Sequence, residues 1–123
     1  MDTFLQFVTE MSESDRRQLY SLIENLLSHR LKLKLIGGRD IRHWTTEIRE
    51  FEATLLRLIV NDAPGLKSHL IDLNLIYTKL VRLRPFVGEL RNKYPKAKFP
   101  NACPFTLEYV VGQRVWNEMR KQG

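Results

Sequence analysis

The sequence predicts an all-α fold, an antiparallel helical bundle, on three observations. Apolar residues recur at steps of three and four through three long stretches. Short breaks rich in glycine and proline separate them: "GG" at 37–38, "NDAPG" at 61–65 and "YPKAKFPNACP" at 94–104. The 123 residues, 43% hydrophobic and 28% charged, suffice for one core and leave nothing for a second. The expected architecture is a single domain over residues 1–123. It has three long helices, a short N-terminal helix, and a C-terminal helix joined to the rest by a proline-rich strap.

Phe4, Leu5, Phe7 and Val8 make a short apolar stripe at the N-terminus. In "SESD", Ser12 and Ser14 are N-cap candidates, with acids placed in the first turn where the helix dipole favours them. Leu19, Leu22, Ile23, Leu26, Leu27, Leu31 and Leu35 then define the buried face of the first long helix, which Gly37–Gly38 ends. "LKLKL" at 31–35 alternates like a strand, but Leu31 and Leu35 continue the helical stripe and a lone strand has no partner, so the segment reads as helix. Asp40 is placed to cap the second helix, where Ile41, Trp44, Ile48, Phe51, Leu55 and Leu58 step by three and four. Leu66, Leu70, Leu73, Tyr77 and Leu80 do the same in the third, which Pro85 interrupts and Tyr94–Pro95 stops. Pro95, Pro100 and Pro104 lack amide donors and restrict the residues before them, so 95–104 is a strap. Thr106 caps one final helix whose apolar face is Leu107, Val110, Val111, Val115 and Trp116, and Phe99, Cys103 and Phe105 lie against the bundle.

The longest run without a charged residue, 99–107, is too short for a membrane span. The N-terminus lacks the basic start of a secretory signal, and one cysteine fits a reducing compartment, so the expected location is the cytoplasm. A net charge of +6 and a pI near 9.7 favour acidic partners. Residues 1–28 hold two basic and five acidic side chains, 29–57 seven and four, 58–98 eight and three, and 99–123 three and two. The positive charge is concentrated in the middle of the chain.

"FPNACPFTLEYVV" followed by Trp116, together with "SESDRRQLYSLIENLLSHRLKL", "HWTTEIREFEATLLRLIVNDAPGLKSHL" and "IYTKL", resembles a bacterial domain-of-unknown-function family, number 29, frequent in cyanobacteria. The likeness runs from about residue 3 to 116 and is carried by the order and spacing of the pieces. It implies an all-helical domain and no established reaction. Members usually begin with a further Asp-Phe-aromatic-x-Trp element and a helix. If that helix normally covers core, the face of Phe4, Leu5, Phe7 and Val8 is left for a second copy, and a homodimer is expected. The segment "LVRLRPFVGELRNKYPKAKF" is longer and more basic than the resemblance implies.

In an up-and-down bundle, the end of the first helix, the start of the second and the end of the third share one pole. That topology gathers Arg30, Lys32, Lys34, Arg39 and Arg42 with Arg82, Arg84, Arg91, Lys93, Lys96 and Lys98, a candidate site for nucleic acid or another polyanion. The ordinary alternative is a solvated face, since cations are favoured at helix C-termini. No DNA- or RNA-recognition motif accompanies the cations. His29, His43 and Cys103 with Asp40 make an acceptable zinc set, although their spacing matches no ligand motif. Arg39 and His43, four apart, resemble the Arg…His pair of small helical-bundle ribonucleases, one residue short of the usual spacing. Cys103 has no neighbouring cation to activate it as a nucleophile. With no cofactor motif and no acid–base constellation, the first reading is a cytoplasmic helical interaction module. Nucleic-acid binding through the basic pole comes second, and a bundle ribonuclease third.

Overall fold

A computed structural model of the protein describes residues 12–36, 40–62, 71–82 and 99–122. Every regular element among them is helical: α1 (Glu13–Leu35), α2 (Ile41–Asp62), α3 (Leu73–Arg82), α4 (Leu107–Val111) and α5 (Gln113–Gln122). The expected N-terminal helix with Phe4, Leu5, Phe7 and Val8, the Gly37–Gly38 break, Leu66, Leu70 and the Pro85 region lie outside the described residues.

α1 starts because Ser12 Oγ accepts the otherwise orphaned amide of Asp15 at 3.1 Å, so Ser12 and not Ser14 is the cap. Glu13 and Asp15 complement the positive end of the helix, and Lys32 and Lys34 its negative end. Leu31 through Leu35 are helical, as the stripe requires. Leu19, Leu22, Ile23, Leu26, Leu27 and Leu31 are buried, each worth roughly 1.5–3 kcal/mol on leaving water.

α1 packs most extensively on α2, which contributes Trp44, Ile48, Leu55, Leu58 and Ile59 to the core. The expected face of α2 is displaced at both ends. Ile41 is 46% exposed, while Ile59, outside the expected stripe, is fully buried. A 3.6-residue helix drifts from a strict seven-residue repeat, so over six turns the buried line moves sideways by about one position. α3 buries Leu73, Ile76, Tyr77 and Leu80 and packs on α1, and Asp72 Oδ1 accepts the amide of Leu75 at 3.0 Å as its start.

Residues 99–106 run without helix from beside α3 to α4. The hydroxyl of the buried Tyr77 donates to Pro100 O, and burial pushes its pKa up. The amide of Cys103 donates to Asn74 Oδ1 at 3.0 Å. Cys103 and Phe105 are half-buried against the core. Thr106 caps α4 as expected, accepting from Tyr109 N. The single final helix becomes two, because Gly112 takes φ +88°, a left-handed-side conformation that interrupts the α-turns. α4 then packs on α1 and α5 on α2, and Met119 joins Val110, Val111 and Val115 in the core.

Candidate functional site

The end of α1 carries three of the expected anion-binding cations, and each lies over an aromatic ring. Arg30 Cζ stands 5.3 Å from the centre of Tyr109, Lys32 Nζ 6.0 Å from Trp44, and Lys34 Nζ 5.4 Å from Phe105. Phe105 and Tyr109 stack on each other at 4.8 Å. Two pairs spaced by four residues, Arg30/Lys34 on α1 and Phe105/Tyr109 at the head of α4, therefore form a cation–ring–ring–cation ladder that pins α4 to α1. Open grooves of about 490 and 470 Å³ flank Tyr109, the first lined by Leu33, Lys34, Pro104 and Phe105, the second by Arg30, Glu108, Gly112 and Gln113.

Arg30 is tied further into the fold. Its guanidinium donates to Glu52 Oε1 at 2.5 Å and to Val110 O at 3.4 Å, so one side chain joins α1, α2 and α4. Gly112 follows directly: a Cβ there would stand 2.6 Å from Glu52 Oε1. Glycine is required for its φ, and a side chain there would also have to push the end of the Glu52 side chain aside.

One turn away on α2, Glu47 gathers the two histidines. Its Oε2 accepts from His29 Nε2 and its Oε1 lies 3.0 Å from His43 Nε2. His29 is buried, its Nδ1 is 2.7 Å from Asn25 O, and its ring meets Phe51 edge-on at 5.2 Å. Both ring nitrogens thus face acceptors, one on its own helix and one on α2. The hydrogen bond from His29 is the main cause holding the Glu47 carboxyl below its usual range, with the positive charges of His29, His43 and Lys32 acting the same way against the effect of burial. The carboxylate of Glu47 thus joins α1 to α2, with one exposed end at His43.

Cys103 lies elsewhere, beside Tyr77 and Asn74. Burial pushes its thiol pKa up, and its Sγ donates to Phe105 O at 3.6 Å. His29 and His43 meet at Glu47 without Cys103, and no group of three His, Cys, Asp or Glu suited to a metal occurs among the described residues. Arg42 is exposed in the first turn of α2. Arg82 ends α3, just past Lys79, whose charge acts on the half-buried Glu24 in the middle of α1. Arg39, Arg84, Arg91, Lys93, Lys96 and Lys98 lie outside the described residues, and with Arg39 so does one half of the ribonuclease pair.

Glu47 and Glu52 are the residues that sequence reasoning misses. The His43–Glu47 spacing of four is a usable signal. Nothing in the sequence pairs Arg30 with Glu52.

Among the described residues no helix is long and apolar enough to cross a membrane. No curated protein and no solved structure matches the chain. The model of one family, the domain of unknown function DUF29, matches residues 1–116. With nearly its whole length under that model and an all-helical architecture of the kind the resemblance implied, the chain belongs to the DUF29 family, whose function is unassigned.

Proposed function

We propose that the chain is a small helical protein-interaction module that works by binding and not by catalysis. The supporting observation is how the side chains are spent. His29, Glu47, Arg30, Glu52, Tyr77 and Asn74 each join one element to another or to the strap, whereas the helix surfaces carry arginines and the large apolar groups Ile41, Val60, Leu75 and Tyr109. In this reading the helices form an antiparallel bundle that the strap closes. Self-association through Phe4, Leu5, Phe7 and Val8 belongs to it, and a molar mass that rises with concentration in size-exclusion light scattering is the expected result. Nucleic-acid binding at the basic pole gains less support, because Arg30, Lys32 and Lys34 are engaged with rings.

The test has two arms. RNA, single-stranded and duplex, is incubated with the protein and divalent metal. A labelled polyglutamate is titrated against the protein at low and at moderate salt. Intact RNA and saturable polyglutamate binding that weakens with salt are expected. RNA cleavage that disappears in His43→Ala, or no binding of the acidic probe at low salt, overturns the reading.

A further inference from the structure

We propose that the outer face of α2 docks an acidic amphipathic helix of another protein, whose carboxylates are received by Arg42, Arg49 and Arg57. α2 turns Trp44, Ile48, Leu55, Leu58 and Ile59 inward and packs on α1 and α5. On its opposite side Arg42, Thr46, Arg49, Ala53, Arg57 and Val60 are all exposed. At about 100° per residue these six fall within an arc of roughly 80°, and Arg42 to Arg57 spans about 22 Å. The uncharged polar group on the line is already committed, since the Thr46 hydroxyl donates to Arg42 O at 2.9 Å. What the face offers a partner is the guanidinium forks of Arg42 and Arg49, that of Arg57, which also donates to Thr54 Oγ1 at 3.4 Å, and an apolar line through Ala53 and Val60, the latter 52% exposed. Glu50 at its edge is the acid nearest to them in the sequence.

Charge and chemistry select the occupant. A second copy laid antiparallel would set Arg49 against itself and Arg42 against Arg57, in a chain whose net charge is already +6. The permanent cations of α2 are all arginines. Arginine grips carboxylates with two parallel bonds and is enriched at protein interfaces, where lysine is depleted. A phosphate backbone would use the guanidinium groups but leave Val60 and Ala53 uncovered, and the line carries no ring for a base to stack on. The partner that satisfies both halves is a helix with acids two turns apart and apolar side chains one turn offset from them, the register in which Arg49 precedes Ala53 and Val60.

This inference rests on the reading of the chain as a binding module, and its experiment separates the two. A labelled helical peptide with that Glu/Leu pattern is titrated by fluorescence anisotropy against the wild type, Arg49→Glu, and Lys121→Glu on α5, which changes the net charge equally. Arg49 and Lys121 are both exposed, and circular dichroism verifies that each variant keeps its helix content. Arg49→Glu is expected to weaken binding by more than about tenfold and Lys121→Glu by less than about twofold. A peptide in which Lys replaces Glu should bind Arg49→Glu better than wild type. Equal loss in the two variants means bulk charge alone and overturns the assigned face while leaving the module standing. A duplex oligonucleotide that displaces the peptide and loses affinity equally in Arg49→Glu overturns the protein partner in favour of nucleic acid. RNA cleavage by the wild type removes the module itself.

Discussion

His29 and Arg30 are neighbours in α1, and each reaches a carboxylate of α2, yet the two joints are built on opposite chemistry. At the first, a buried imidazole donates to Glu47, whose side chain is a third exposed and whose carboxyl is held below its usual range chiefly by that bond. At the second, a guanidinium that never loses its charge holds Glu52, and the side chains are 17% and 28% exposed. The first joint relies on Glu47 staying ionised. The second relies on space, because the Glu52 carboxylate stands where a Cβ at Gly112 would push it off its present position. A pair that is fixed in charge fails when its geometry is crowded, and a pair that depends on an ionised carboxylate fails when that carboxylate takes up a proton.

Crowding the second joint produces the largest effect. Gly112→Ala has to hold a non-glycine residue at φ +88° and force the Glu52 carboxylate aside, so a loss of about 3 kcal/mol is expected, read as a shift in the denaturant midpoint at unchanged slope. Arg30→Met keeps the stem packed over Tyr109 but leaves Glu52 partly buried without its cation. It should cost about 2 kcal/mol, a smaller loss than Gly112→Ala because Glu52 retains access to water. A Gly112→Ala protein as stable as wild type would show that the carboxylate can move freely and that this joint is not space-limited.

How far the sequence exposes these joints follows from what each residue's signal depends on. The leucines of α1 are legible because burial of a helix face is a local, periodic property, and Leu19 through Leu31 lie where their spacing puts them. The capping of α1 by Ser12 and of α4 by Thr106 is legible for the same local reason. Ile41 and Ile59 are misassigned because they depend on how α2 drifts against its neighbours. The break at Gly112 escapes notice because glycine inside an apolar run carries no sign of its φ. Arg30, Lys32 and Lys34 fall in the C-terminal part of α1 by chain position alone, but their engagement with Tyr109, Trp44 and Phe105 depends on the packing of elements up to 80 residues apart. Glu52 is invisible on the same ground, whereas Glu47 is within reach through His43.

Changing the proton count addresses the first joint. The carboxyl of Glu47 is held below its ordinary range, chiefly by the hydrogen bond from His29, so the folded state binds this proton more weakly than the unfolded chain does. Its contribution is therefore present above the ordinary carboxylate pKa and is lost as pH falls through the depressed folded value. Melting temperature should decline on acidification from about pH 5 to about pH 3, and Glu47→Gln should remove its share of that decline, giving a shallower slope. At neutral pH the same variant costs about 1 kcal/mol, because the amide still reaches His29 as a neutral partner. Identical acid slopes in wild type and Glu47→Gln would show that the His29–Glu47 bond does not link folding to protons.

The smallest effect belongs to the ladder that ties α4 to α1 beside the second joint. Lys34→Met keeps a flexible apolar stem against Phe105 and removes the charge 5.4 Å from the ring. Exposed cation–π contacts contribute about 0.5–1 kcal/mol, so the expected loss is under about 1 kcal/mol and should shrink further in combination with Arg30→Met if the two cations brace the same pair of rings. A double-mutant cycle on chemical denaturation measures this. Strict additivity would mean that Phe105 and Tyr109 are held separately, each by its own cation. A loss in the pair smaller than the sum would mean that the stacked rings act as one body, so that releasing α4 at Arg30 already forfeits what Lys34 contributes. In that case α4 is fastened from the Glu52 end, and the residues leading into Thr106 follow it.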